Sequence, residues 1–170
     1  MLSLDLVDKG VVTNQIVLTV GYDKESLADG HYTGEVVCDH YGRKIPKHAH
    51  GTQNLGRHTS STRKIIDATM ALFDRIIDKT LLARRLNLTA CNVIREEDIP
   101  EIESYEQISL FDMAEAANAD NNAEEKERAL QEAMLLIKHK YGKNAILKGT
   151  NYTEGATARE RNRSIGGHKA

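Results

Sequence analysis

The chain has 170 residues, enough for one domain with a hydrophobic core plus extensions. It has two cysteines, no Trp and no apolar run near 18 residues, which excludes a disulfide scaffold and a transmembrane helix. Residues 1–8 follow helical spacing and are predicted to be the end of a helix that stops at Gly10. Residues 11–22 alternate, which predicts a half-buried strand whose inner face carries Ile16, Leu18, Val20 and Tyr22.

Two further extended segments, one helix and a last strand complete a small domain. Residues 34–40 are predicted to form a second strand, and residues 44–55 an extended segment in which Pro46 favours an edge position. Residues 62–80 predict a helix, because apolar positions recur at helical spacing after the N-cap residues Ser60, Ser61 and Thr62. Residues 84–95 alternate again. This order predicts an α+β fold, in which an antiparallel sheet carries a helix packed on one face.

The C-terminal half is predicted as three segments of different character. Residues 98–121 are acidic and lack a sustained period, which predicts a linker. Residues 122–142 predict a helix that begins with a capping box at Asn122 and ends at Gly142. Residues 143–170 predict a flexible, Gly-rich basic tail. Because no signal peptide is visible, we expect a cytoplasmic protein that does not bind membranes, with buried, reduced thiols at Cys38 and Cys91.

The charged residues are strongly segregated along the chain. Residues 36–64 carry six Lys or Arg against one acid, residues 96–127 carry one Lys against twelve acids, and residues 143–170 carry six bases against two acids. A polyanion is therefore the expected partner of the basic segments, although a solvated basic face is the alternative. Apart from Gln53 and Asn54, no base-reading pattern is present. Phosphate contacts without sequence specificity are therefore predicted for Arg43, Lys44, Lys47, Arg57, Ser60, Ser61, Thr62, Arg63, Lys64, Arg84 and Arg85.

Histidines support an alternative hypothesis from a different class, a metal-binding protein. His48 and His50 lie two residues apart on an extended segment and therefore share a face, and His40 and His58 would add ligands. Against it, the surrounding cations repel a metal ion, and no Cys-x-x-Cys pattern is present. The one run of three consecutive carboxylates is at residues 96–98, where a linker is predicted to start, so we expect the chain to carry no catalytic residues.

Three stretches carry a family resemblance: residues 42–65, which run from GRKIPKHAHGT to TSSTRKI, residues 83–89, ARRLNLT, and residues 156–169, which end in ERNRSIGGHK. Together they resemble the C-terminal part of bacterial Y-family translesion DNA polymerases of the UmuC-like, or ImpB/MucB/SamB, type. The resemblance implies that residues 1–97 are the family's little-finger DNA-binding domain without its first strand and most of its first helix. The chain is then expected to be a fragment of a longer polymerase or the product of a truncated gene.

The resemblance also bears on the cofactor and the activity. The family uses Mg²⁺ in a palm domain, and the palm carboxylates that bind it have no counterpart in this chain. We therefore expect no cofactor here and no polymerase activity of this chain alone. An inert remnant of a truncated polymerase gene is the remaining hypothesis.

A short motif stands alone in the acidic stretch: Gln107, Ile108, Ser109, Leu110 and Phe111. Large apolar residues stranded in a charged linker are typical of a segment that fills a pocket of another protein. Beside a little-finger domain, the motif resembles a sliding-clamp-binding peptide, whose pattern is Gln, an aliphatic residue, Ser or Asp, Leu and Phe. The resemblance implies the bacterial sliding clamp as a second partner, with Gln107 at the pocket rim and both Leu110 and Phe111 on its apolar floor.

Overall fold

The computed structural model describes residues 2–28, 30–99, 112–165 and 168–169. The chain divides into two compact units, residues 1–106 and residues 107–170. None of the helices that the structure describes is long and apolar enough to span a membrane.

The first unit is an antiparallel sheet with helices. Its elements are α1 (Leu2–Asp8), β1 (Val11–Tyr22), β2 (Val36–Cys38), β3 (Lys44–Pro46), β4 (Ala49–Thr59), α2 (Thr62–Ile76), β5 (Ala83–Cys91) and β6 (Ile94–Arg95). Strand β1 is central, because it pairs antiparallel with β4 along one edge and with β5 along the other, and its first residues pair with β6. Strands β2 and β3 pair with each other and form a two-stranded ribbon that is separate from the main sheet. The predicted α+β class is confirmed.

The core lies between the sheet and α2. The inner face of β1 is buried as its alternation predicts, and its residues Leu18, Val20 and Tyr22 pack with the fully buried Leu72 of α2. Gly51 of β4 faces the same helix, and a Cβ atom there would lie 2.9 Å from a methyl carbon of Leu72. The glycine therefore lets the edge strand approach α2 closely.

Helix α2 ends earlier than predicted. It stops at Ile76 rather than at residue 80, because Ile77 turns to an extended backbone with ψ 136°. The Asp78 carboxylate accepts hydrogen bonds from the Thr80 backbone N–H at 2.9 Å and from the Thr80 hydroxyl at 2.6 Å. Such an Asx turn satisfies the backbone locally and competes with another helical turn. The Asp78 backbone N–H also donates to the Tyr22 hydroxyl, which ties the turn to β1.

The predicted strands are shorter and more divided than expected. The strand predicted over residues 34–40 is only three residues long and lies outside the main sheet. The strand predicted over residues 84–95 ends at Cys91, because Asn92 adopts a positive φ of 50° before β6 begins. The prediction of two buried thiols is wrong, since Cys38 is exposed and Cys91 is only half-buried.

The second unit contains a long helix, α3 (Asp112–Tyr141), then α4 (Ala158–Arg161) and a pair of two-residue strands, β7 (Ser164–Ile165) and β8 (His168–Lys169). Helix α3 begins well before the predicted start at Asn122, because residues 113–123 are rich in Ala, the strongest helix former. The helix ends as predicted at Gly142, which has a φ of 92°. The predicted tail therefore contains short regular elements rather than none.

Candidate nucleic-acid interface

The main sheet presents a polar face on the side opposite α2, which we call the open face. The β1 residues that lie between its core positions have side chains on the open face. The strand register places residues of β4 and β5 beside them on the same face. The open face is lined by Gln15, Val17, Thr19, Gly21, His50, Thr52, Asn54, Arg85, Asn87, Thr89 and Cys91. None of these residues is acidic.

Hydrogen bonds hold the side chains of the open face in cross-strand pairs. The Thr19 hydroxyl lies 3.0 Å from Nδ1 of His50, and Nε2 of Gln15 donates to Oδ1 of Asn54 at 3.0 Å. A third hydrogen bond lies within β5, where Nε of Arg85 donates to Oδ1 of Asn87 at 3.2 Å. Amide, hydroxyl and guanidinium groups of this kind are the donors that contact phosphate and sugar oxygens in DNA complexes.

The structure places the predicted cations in different parts of the first unit. Arg85 lies on the open face, whereas its neighbour Arg84 forms an ion pair with Asp23 at 3.3 Å. Arg43 and Lys47 flank the β2–β3 ribbon and form ion pairs at 2.6 Å with Asp39 and Glu35. Lys44 lies on β3 and is exposed.

The hydroxyl groups at the start of α2 serve the fold. Ser61 is the N-cap residue, and its hydroxyl accepts a hydrogen bond from the Lys64 backbone N–H at 3.3 Å. Ser60 is buried as well, and the Thr62 hydroxyl donates to that of Ser3 at 2.9 Å. The Ser61 hydroxyl therefore stabilises the helix start, and the Thr62 hydroxyl stabilises its contact with α1. Arg63 is exposed at the same helix end, and Lys64 is half-buried.

A cleft of about 490 Å³ separates the end of β4 from α2. Arg57 and Lys64 line it from opposite sides, so the structure brings together two of the predicted cations. Asp67 also lines the cleft and reduces its positive charge. Its remaining lining residues are Asn54, Leu55, Gly56 and Ala68.

The loop between β2 and β3 forms a tight turn around one carboxylate. Oδ1 of Asp39 accepts hydrogen bonds from the backbone N–H groups of Tyr41 and Arg43, both at 2.9 Å, and Oδ2 accepts one from Nε of Arg43 at 2.7 Å. The Arg43 side chain, followed by these backbone donors, holds the pKa of Asp39 below its usual value. The Asp39 carboxylate in turn raises the pKa of Arg43. The turn is thus built around a neutralised ion pair.

Sequence reasoning missed the neutral part of this surface. It selected cations and hydroxyls, named Asn54 only as an exception, and passed over Gln15, Asn87 and the exposed Tyr41. The alternation of core residues along β1 could have indicated this surface. Every second residue of the strand faces the core, so the residues between them face outward.

The histidines that carried the metal hypothesis do not converge. The rings of His48 and His50 lie 6.3 Å apart between centroids, and His50 contacts Thr19 through Nδ1. Within the part of the chain that the structure describes, no three His, Cys, Asp or Glu residues are placed to hold a metal ion. The predicted clamp-binding residues Gln107, Ile108, Ser109, Leu110 and Phe111 lie outside the described residues.

Two curated relatives are similar to this chain. The chain is 31% identical over 160 residues to UvrX of Bacillus subtilis (strain 168), which is named as a proposed UV-damage repair protein, and the match covers 94% of this chain and 30% of the relative. It is 28% identical over 125 residues to DNA polymerase IV 2 of Halalkalibacterium halodurans, with 74% of this chain and 26% of the relative covered. No protein-family profile and no solved structure matches the chain.

These similarities support a relationship to DNA-repair proteins and to Y-family DNA polymerases, in agreement with the sequence motifs. The chain spans less than a third of the length of either relative.

Proposed function

We propose that this chain is a DNA-binding and clamp-tethering module of an error-prone translesion DNA polymerase. In this role it binds DNA without sequence specificity and works in the cytoplasm during damage tolerance of the SOS type. The observation that carries the proposal is the similarity to UvrX over 94% of the chain. The acid-free open face and the clamp-like motif are consistent with it.

Phosphate contact is the binding mode that the first unit supports best. The open face offers neutral donors and Arg85. Arg57 is exposed on the edge strand β4, and Lys44 is exposed on β3 of the separate ribbon. The ion pairs of Arg43, Lys47 and Arg84 lie at the surface, where such pairs are worth about 0–1 kcal/mol. A DNA phosphate therefore competes for these cations at little cost.

Tethering rests on the sequence Gln107-Ile108-Ser109-Leu110-Phe111. Burial of a Leu or Phe side chain contributes about 1.5–3 kcal/mol, so the two anchors together support a weak, separate contact with a clamp pocket. The clamp contact and the weak phosphate contacts belong to one chain, so forming one raises the effective local concentration for the other. The chain therefore stays longer on clamp-loaded DNA than either contact alone would allow.

The DNA-binding part is tested by fluorescence anisotropy of a labelled blunt duplex titrated with the full chain. Affinity should fall steeply between about 50 and 200 mM salt, because each phosphate contact releases counterions. Binding that is insensitive to salt, or absent, would contradict the proposal. A cooperative thermal melt of the same sample would argue against the inert-remnant hypothesis.

Tethering is tested by capture of the full chain on immobilised bacterial sliding clamp. The Leu110→Ala/Phe111→Ala variant should lose most of the captured protein. The matched control is Ile102→Ala, which removes an aliphatic side chain from the same acidic stretch but outside the motif. Equal capture of the parent and the double variant would rule out the motif as the clamp contact.

A further inference from the structure

The most exposed large apolar side chain among the described residues is Tyr41, at the tip of the β2–β3 ribbon. Its exposed fraction is 78%, higher than that of any other large apolar residue the structure describes. An aromatic ring exposed to this extent gains no stabilisation from the burial of its apolar surface unless a ligand covers it.

The backbone that carries Tyr41 is fixed. Besides the hydrogen bonds that the Asp39 carboxylate accepts, the Asp39 backbone N–H donates to the Arg43 carbonyl and the Gly42 N–H donates to the Asp39 carbonyl, both at 2.9 Å. Gly42 has a φ of 74°, a conformation that favours glycine. The ring is thus presented by an ordered turn, which lowers the entropy lost when a ligand binds it.

Two cationic or titratable side chains frame the ring. The guanidinium carbon of Arg43 lies over the Tyr41 ring at 5.0 Å from its centroid, and the His40 ring meets it edge-on at 5.4 Å and 76°. Lys44 follows in the chain, and the one acid of the turn, Asp39, is neutralised by Arg43. With Arg43 and Asp39 paired, the exposed Lys44 leaves one net positive charge next to the turn, which favours an anionic ligand with a flat face.

We infer that Tyr41 is a stacking platform for an unpaired nucleobase, with Arg43 and Lys44 placed to contact the adjoining phosphates. Proteins bind single strands in this way, with aromatic rings that stack on bases beside cations that follow the backbone. Bases inside a duplex stack on each other and offer no free face, so the ligand is a single strand, an overhang or a splayed base. This inference rests on the proposed DNA binding and adds to it the kind of DNA that the ribbon tip contacts.

The absence of Trp in the sequence allows a direct test. In the full-length Tyr41→Trp variant, the only indole lies at the ribbon tip and its emission reports stacking. A thymine-rich single strand should change that emission saturably, whereas a blunt duplex of the same length should change it far less. The matched control is Tyr152→Trp, because Tyr152 is 64% exposed and has the guanidinium carbon of Arg159 at 5.0 Å from its ring. An equal response at both positions would overturn the inference.

Affinity measurements complete the test. Tyr41→Ala should weaken binding of the single strand about fivefold or more, the lower end of what loss of one stacked base produces. Tyr41→Phe keeps the ring and should bind within about twofold of the parent, since stacking uses the ring face rather than the hydroxyl. One outcome separates the inference from the proposed function. If the chain binds duplex in a salt-sensitive way, but no single strand changes the indole emission of the Tyr41→Trp variant, the inference is overturned and the proposed function stands. No binding to any DNA would overturn both.

Discussion

Gly51 of β4 and Leu72 of α2 are in such close contact that a Cβ atom on Gly51 would lie 2.9 Å from Cδ1 of Leu72. Leu72 is fully buried, so it cannot swing aside into solvent. The distance between the edge strand and the helix is therefore set by the missing side chain at position 51. This contact closes the core on the face opposite the proposed DNA interface.

Gly51→Ala should destabilise the first unit by about 1–3 kcal/mol, the usual cost of adding a methyl group to a packed core. The measurement is the free energy of unfolding from denaturant titration. Gly149→Ala is the control, because a Cβ atom there meets nothing within 4 Å. Equal stability of Gly51→Ala and the parent would show that β4 moves away from α2 freely.

Leu72→Ala should lower the free energy of unfolding of the first unit by about 2–5 kcal/mol, because it leaves a cavity among Leu18, Val20 and Tyr22. Met70→Ala removes a side chain of similar size from the same helix, but Met70 is 54% exposed. Its cost should be well under half that of Leu72→Ala. Thermal and denaturant unfolding of the two variants give the comparison, and similar losses would contradict the position of the core.

The sequence predicted the buried face of β1 but not the exposure of Cys38, and it missed the features that depend on local or cross-strand hydrogen bonds. One face of β1 is buried, so every second residue is apolar at Ile16, Leu18, Val20 and Tyr22. This two-residue period is visible in the sequence alone. The end of α2 was missed because the hydrogen bonds from Thr80 to Asp78 compete with another helical turn, and helical periodicity does not report them.

In the candidate site as well, some features are visible in the sequence and others depend on tertiary contacts. The positive charge of residues 36–64 was evident, but the register that brings Glu35 to Lys47 and Asp23 to Arg84 is a tertiary property. The acid partners therefore could not be assigned from the sequence, and neither could the open face, which exists only once β4 and β5 pair with β1.

Ser61→Ala should destabilise the first unit by about 1 kcal/mol, because it removes the N-cap acceptor of the Lys64 backbone N–H. Ser61→Asp keeps an acceptor and adds a negative charge at the positive end of the helix, so it should retain most of the stability. Thermal unfolding of both variants checks this order. An Asp variant that is less stable than the Ala variant would contradict the capping role.

Protonation of Asp39 should loosen the turn that presents Tyr41. The pKa of Asp39 is lowered in the folded chain, so its stabilising contribution is complete above the ordinary value of about 3.9 and is lost as the pH falls through the lower folded value. An NMR titration of the Tyr41 and Arg43 backbone amide protons, which donate to this carboxylate, should give a midpoint below about 3.9. Asp39→Asn should abolish that transition. A midpoint at or above the ordinary value would contradict the ion pair.

Arg85→Ala should weaken duplex binding, because Arg85 is the cation that the register places on the open face. Loss of one phosphate contact lowers the slope of log affinity against log salt by about 0.9. The control is Arg95→Ala, which removes a cation of the same unit that pairs with Glu97 at 3.1 Å beside the acidic residues 96–98. Anisotropy titrations of a labelled duplex at several salt concentrations give both slopes. If Arg95→Ala lowers the slope as much as Arg85→Ala does, the open face is not the DNA-binding surface.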